Sequence, residues 1–168
     1  MKVVNIGFSR PKAWFVPFSW VIRLVERTPY SHVYIRSHSD SLDLDMIYQA
    51  SGTQVNFMGL EQFKSKEIIV DEFQVELSDE QYKKYLRWSV INAGADYSVK
   101  QVLGIALVKL FNLRRNPFSN GEHAWICAEL VEFFLKDFVG LDLDQNEFEV
   151  SGPKNIHRIC EKYAKRIG

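Results

Sequence analysis

Cys127 opens the apolar run Cys127-Ala128-Glu129-Leu130-Val131, and His32 lies far upstream in the alternating run Ser31-His32-Val33-Tyr34-Ile35. A thiol at a helix start feels the positive end of the peptide dipoles, and an imidazole carried to it by the fold can take its proton. Together they are the minimal equipment of a cysteine nucleophile, with a thiol pKa expected to fall well below the free value of about 8.5. On a strand from Ser31 to Arg36, His32, Tyr34 and Arg36 share one face, with Val33 and Ile35 on the other. The following run, Met46 to Ala50, groups Ile47 with Gln49. A hairpin in which Arg36 opposes Asp45 sets His32 opposite Gln49, with Cβ atoms about 4.5 to 5.5 Å apart. In that register the Gln49 carbonyl accepts the Nδ1 hydrogen of His32 and turns Nε2 towards the thiol.

Each of these residues also has a plainer reading. Cys127 is in helical register with Val131, Phe134 and Phe138, and a free Cys is commonly a small buried hydrophobe. His32 is then a satisfied polar residue at a strand start and Gln49 an ordinary sheet residue. Cys160 sits mid-face in the last helix and reads as core. His38, His123 and His157 read as solvated. His123 and Cys127 stand at four-residue spacing, but two ligands are too few for a metal site, so no metal or cofactor is expected. Tyr30, Tyr34, Tyr97 and Trp125 could line a groove, although aromatic side chains near strands mostly belong to the core.

The elements that must position these groups follow from periodicity and punctuation. Val3 to Phe8 reads as a short buried strand. Pro17 to Arg27 reads as a helix whose Trp20, Ile22, Leu24 and Val25 supply apolar surface, stopped by Thr28-Pro29. Strand-like runs follow at Ser31 to Arg36, Met46 to Ala50, Thr53 to Met58 and Glu67 to Leu77, separated by a polar loop and a Ser51-Gly52 turn and read as an antiparallel meander. Ser78 caps a helix reaching about Ala93. Val99 to Phe111 reads as a very apolar helix, packed on both sides or facing substrate or lipid. Asn112 to Glu122 is a loop, with Arg114-Arg115 a solvated pair or a contact for an anionic head. The Cys127 helix ends near Val139-Gly140, and a last helix starts at Pro153 with Ile156, Ile159, Cys160, Tyr163 and Ile167 on one face. Helices and an antiparallel sheet in separate blocks define an α+β fold.

A chain of 168 residues fits one domain over its whole length. Its 21 basic and 21 acidic side chains balance, and no basic run is interleaved with aromatics, which argues against nucleic acid and leaves small-molecule, peptide-like or acyl-lipid substrates. Two cysteines are too few for a disulfide scaffold, no secretory signal is recognisable, and the apolar stretch Val102 to Phe111 is about half a membrane span. A cytoplasmic, reducing setting and a monomer are the working expectations.

The order of parts, His first, a polar residue on the next strand and Cys late on a helix, resembles the circularly permuted NlpC-type papain-like cysteine hydrolases. Tyr30-Ser31-His32-Val33-Tyr34-Ile35 looks like the histidine strand of that family, Ile47-Tyr48-Gln49-Ala50 like the strand that follows, and Cys127-Ala128-Glu129-Leu130-Val131 like its nucleophile helix. The resemblance implies a papain-like fold from about Val3 through that helix, with Cys127 as nucleophile, His32 as general base and acid, and Gln49 orienting His32. Many relatives carry a carboxylate where Gln49 stands, which implies weaker stabilisation of an imidazolium here. The implied activity is cysteine peptidase or amidase chemistry on an amide, isopeptide or ester bond. An acyltransferase using the same pair, and a binding protein of the same fold, are the alternatives.

Overall fold

A computed structural model describes residues 1–52, 54–96, 104, 126–143 and 152–167. Its framework is an antiparallel sheet of β1 (Lys2–Pro11), β2 (His32–Ser39), β3 (Leu44–Ser51), β4 (Gln54–Gly59), β5 (Glu67–Leu77) and the short β6 (Lys165–Arg166), in the order β4-β3-β2-β1-β5-β6. The helices are α1 (Pro17–Glu26), α2 (Leu60–Lys66), α3 (Asp79–Asn92), α4 (Cys127–Phe134), which runs on as a wider π turn over Leu135–Val139, and α5 (Pro153–Tyr163). The architecture is therefore α+β. The expected helix over Val99 to Phe111, the loop Asn112 to Glu122 with Arg114-Arg115, and Tyr97, His123 and Trp125 lie outside the described residues.

The run of strands from β2 to β4 is a meander, as expected, but β5 is not its next member. After β4 the chain forms α2, crosses one face of the sheet and returns as β5 along the free edge of β1. The crossing is held by Phe63 of α2, fully buried against Tyr34 and Ile47. The opposite face carries the larger core, where Val33, Ile35, Tyr48 and Ala50 of the sheet meet Cys127, Ala128, Leu130 and Phe134 of α4 and Ile156 of α5. Alternation along β2 explains the division, since Val33 and Ile35 feed one core and Tyr34 the other.

Gly7 is required by this two-faced packing. A Cβ there would stand 2.1 Å from the Tyr34 ring, and the ring is held in place because its hydroxyl donates to Glu72 Oε1 at 2.9 Å. Glu72 in turn takes Arg36 at 3.0 Å, so β2 and β5 are tied to each other across β1 by polar side chains.

The last helix stops sooner than its pattern suggests. Ala164 adopts extended backbone after Tyr163, and the chain turns into β6 to pair with β5. Ile156, Ile159 and Cys160 are buried, whereas Tyr163 and Ile167 face outwards. The gain of sheet hydrogen bonds outweighs one more helical turn. His157, expected in solvent, is also packed: Tyr30 stacks on its ring and Nε2 lies 2.9 Å from Asp71 Oδ2. Asp71 is clasped from the other side by Arg166, which fastens α5 and β6 to the sheet.

Candidate active site

The β2–β3 ladder runs from Ser39↔Leu44 to Ile35↔Tyr48, with Arg36 opposite Ile47 and His38 opposite Asp45. It is therefore shifted by two residues from the expected pairing of Arg36 with Asp45. Asp45 takes the imidazole of His38 at 3.0 Å and, more loosely, Arg36 at 3.8 Å, while Arg36 also reaches across the sheet to Glu72 at 3.0 Å. A shift of two preserves the faces, because side chains alternate with period two. His32 and Gln49 consequently stay on one side as diagonal neighbours instead of a directly opposed pair.

His32 begins β2, paired with Ser9 of β1 but beyond the last residues paired with β3, and its side chain reaches Gln49 where β2 and β3 part. Nε2 of His32 lies 2.8 Å from Gln49 Oε1. A carbonyl oxygen only accepts, so Nε2 carries the hydrogen and Nδ1 keeps its lone pair. The expected tautomer is thereby reversed: Nδ1, not Nε2, is the nitrogen left to act as a base.

Asn56 of β4 explains the orientation of Gln49. It stands directly opposite Gln49, and Gln49 Nε2 donates to Asn56 Oδ1 at 3.3 Å, while Asn56 Nδ2 donates to the Gln54 carbonyl at 3.2 Å. Asn56 does not stand out in the sequence, yet a signal is present. The Ser51-Gly52 turn, with Gly52 at φ +69°, sets the β3–β4 register, and counting back from it places Asn56 across from Gln49.

Cys127 is the first residue of α4, following Ile126 in extended conformation. Glu129 folds back so that its Oε2 accepts from the Ile126 amide at 3.2 Å, which satisfies one of the open donors of the first turn. The thiol packs in the larger core, 5 % exposed, and backbone hydrogen bonds at Val33, Ala128 and Cys127 itself reach it. Val33 directly follows His32, so the thiol reaches the backbone of the histidine strand from the core that Val33 faces, whereas the His32 side chain lies with Gln49 on the other face, beside Met58 and Phe63. Among the described residues no hydrogen bond joins the imidazole to the thiol.

Burial decides the charge state of both groups. It pushes Cys127 up to about 11, against the smaller opposing pull of the backbone hydrogen bonds. Burial likewise pushes His32 down to about 4, with the Gln49 bond resisting. Both are therefore neutral at pH 7, and the expected resting thiolate is not formed: desolvation of a charged sulfur outweighs the helix terminus. Cys160 is core, as expected, with its pKa also raised by burial.

A cavity of about 310 Å³ opens beside the imidazole, lined by Ser31, His32, Gln49, Met58, Phe63 and Glu67 among others. Cys127 is not on its wall. Burial raises the Glu67 carboxyl, while the Ser9 hydroxyl donates to it at 3.0 Å. Tyr30 and Tyr34 are core. No protein-family model and no curated protein matches the sequence.

Proposed function

We infer that this chain is a thiol hydrolase of the permuted papain-like, NlpC-type architecture, cleaving an amide, isopeptide or ester bond through an acyl-enzyme on Cys127. The observation that carries the reading is the His32–Gln49 hydrogen bond, which leaves the Nδ1 lone pair unprotonated on the residue next to Val33, whose backbone hydrogen-bonds Cys127. A general base needs such an orientation; a structural histidine is satisfied in the same way, as His157 is by Asp71, so the bond supports the reading together with the position of Cys127.

The neutral pair defines the order of events. Acylation requires the imidazole and the thiol, which rest on opposite faces of β2, to meet at the open end of that strand; His32 Nδ1 then removes the thiol proton as Sγ bonds to the substrate carbonyl carbon, so the thiolate never stands alone in a dry site. Backbone N–H groups at the start of α4 face the oxyanion. The imidazolium, whose Nε2–H stays on Gln49, then gives its proton to the departing nitrogen or oxygen as the carbon–heteroatom bond breaks. In the second half, His32 takes a proton from water, the oxygen attacks the thioester, and the sulfur leaves with that proton. Gln49 contributes orientation and a dipole but no full charge.

The buried, neutral thiol favours a second reading, a binding protein that keeps the fold. Intact-protein mass spectrometry after incubation with a p-nitrophenyl acyl ester separates them. The hydrolase reading expects a mass increase mapped to Cys127, absent in Cys127→Ala and about 10²–10⁴ times slower to form in His32→Ala. No adduct, or an adduct indifferent to His32, establishes the binding protein. Diversion of the acyl group to added hydroxylamine in preference to water would indicate an acyltransferase.

A further inference from the structure

Helix α1 is inside out. Its fully buried side chains are Ser19 and Glu26, while Phe18, Trp20, Val21 and Leu24 face solvent, continuous in sequence with Trp14 and Phe15 of the preceding loop. Trp14 is 82 % and Leu24 78 % exposed. Single exposed apolar residues need no explanation, but a grouped set of large ones marks an interaction surface. The buried polar residues are satisfied: Ser19 pairs with Ser31 at 2.7 Å, and Glu26 accepts from the Lys154 amide at the start of α5 at 2.9 Å. The inverted orientation is therefore built in.

The charges along this segment up to Glu26, which is buried, are all basic. From Arg10 to Val25 the chain carries Arg10, Lys12 and Arg23 and no acidic residue, in a protein whose formal net charge is zero. Arg10, Lys12 and Arg23 line a second cavity of about 310 Å³, together with Trp14, Ser19 and Trp20. The Nε atoms of Arg10 and Arg23 are buried without a hydrogen-bond partner. A buried guanidinium donor lacking an acceptor is costly, and its natural complement is an anion with several oxygens. The aromatic groups are held in position, since Trp20 Nε1 donates to the Trp14 carbonyl at 2.6 Å and the Arg23 guanidinium lies 4.8 Å from the Trp20 ring centre.

We propose that α1 and the loop before it form a docking site for an anionic phospholipid bilayer. Trp14, Phe15, Phe18, Trp20 and Leu24 enter the boundary between headgroups and acyl chains, and a lipid phosphate seats against Arg10 and Arg23. Aromatic residues interleaved with basic ones on a short helix have the chemistry of an interfacial anchor. An apolar protein partner would cover the aromatics but leave the Nε donors of Arg10 and Arg23 unanswered. The two cavities share Pro11, Val16 and Ser19 on their walls, so the docked face lies next to His32 and Gln49. The proposal stands whether or not the chain is a hydrolase.

Flotation of the full chain with vesicles of phosphatidylcholine, with and without phosphatidylglycerol, tests it. Binding is expected with the anionic vesicles and is expected to fall in high salt. Trp14→Ser should weaken it about tenfold, and Arg23→Gln about fivefold. Quenching of the native protein's tryptophan emission by brominated acyl chains measures insertion without any variant, and strong quenching is expected. The proposal is overturned by absence of flotation and quenching with anionic vesicles, or by equal binding to phosphatidylcholine alone. Binding of inorganic phosphate without vesicle binding would make a soluble anion the occupant and overturn it too. So would a dimer in light scattering that Trp14→Ser converts to monomer, since a second copy would then cover the face.

Discussion

Replacing Gln49 by Glu probes the reasoning about the imidazole most directly. The change is isosteric and puts a carboxylate oxygen where Oε1 now lies, 2.8 Å from His32 Nε2. A unit charge centred about 3.5 Å from the imidazolium at an effective dielectric near 20 is worth roughly 5 kcal/mol, or some 3 pH units before the carboxylate's own desolvation is subtracted. The His32 pKa is therefore expected to climb from about 4 by roughly 2 units. Imidazole resonances followed by NMR between pH 3 and pH 9, assigned with His32→Gln, read both values. Stability follows in sign. Because the native value lies below the ordinary 6.5, the unfolded chain binds the extra proton, and wild-type stability falls as pH drops from 6.5 towards 4, by about 3 kcal/mol in total from this group. The Gln49→Glu protein should lose less over that interval from His32. A wild-type imidazole titrating near 6.5, or an unchanged value in the variant, would refute the assignment of burial and the Gln49 bond as the controlling forces.

Three further outcomes are expected. Iodoacetamide labelling of Cys127, followed by peptide mass spectrometry, should rise with pH towards a midpoint near 11 and at pH 8 run on the order of 100 times slower than a free thiol; rapid labelling at pH 6 would mean that a thiolate–imidazolium pair already exists. The ¹⁵N shifts of His32 at neutral pH should show Nε2 protonated and Nδ1 bare, and Asn56→Leu should blur that distinction by freeing the Gln49 amide; a protonated Nδ1 in the wild type would contradict the hydrogen bond described. Gly7→Ala should cost about 1–3 kcal/mol in denaturant unfolding, because its Cβ drives into the Tyr34 ring; wild-type stability would show that the ring moves freely.

The membrane contact proposed for α1 is one of surface. Among the described residues no helix is long and apolar enough to cross a bilayer. The apolar face that α1 turns outward belongs to a helix of 10 residues, suited to lying along an interface. The sequence marks its residues as apolar helix surface without saying which side they present. Pattern reports that Trp20 and Leu24 are apolar; only packing reports that Ser19 and Glu26, with partners on β2's approach and on α5, occupy the inside.

Local chemistry is enough to mark much of what matters. Ser78 and Gln81 cap α3, Pro17 and Pro153 open α1 and α5, and Gly140 closes the turn after α4, each through interactions spanning a few residues. The alternation in β2 and β3 likewise places His32 and Gln49 on a common face, and that survives a two-residue error in register because the strand period is two. What depends on distant residues is decided by the tertiary structure. β5 joins β1 because α2 crosses the sheet over Tyr34 and Ile47, Arg36 divides its charge between Asp45 and Glu72 because β5 brings Glu72 within reach, and His157 is packed because Tyr30 and Asp71 meet it from elsewhere in the chain. The charges of Cys127 and His32 follow the same rule. Residue type and helix position point to an activated thiol, whereas the depth at which α4 buries it, set by the whole core, makes both partners neutral.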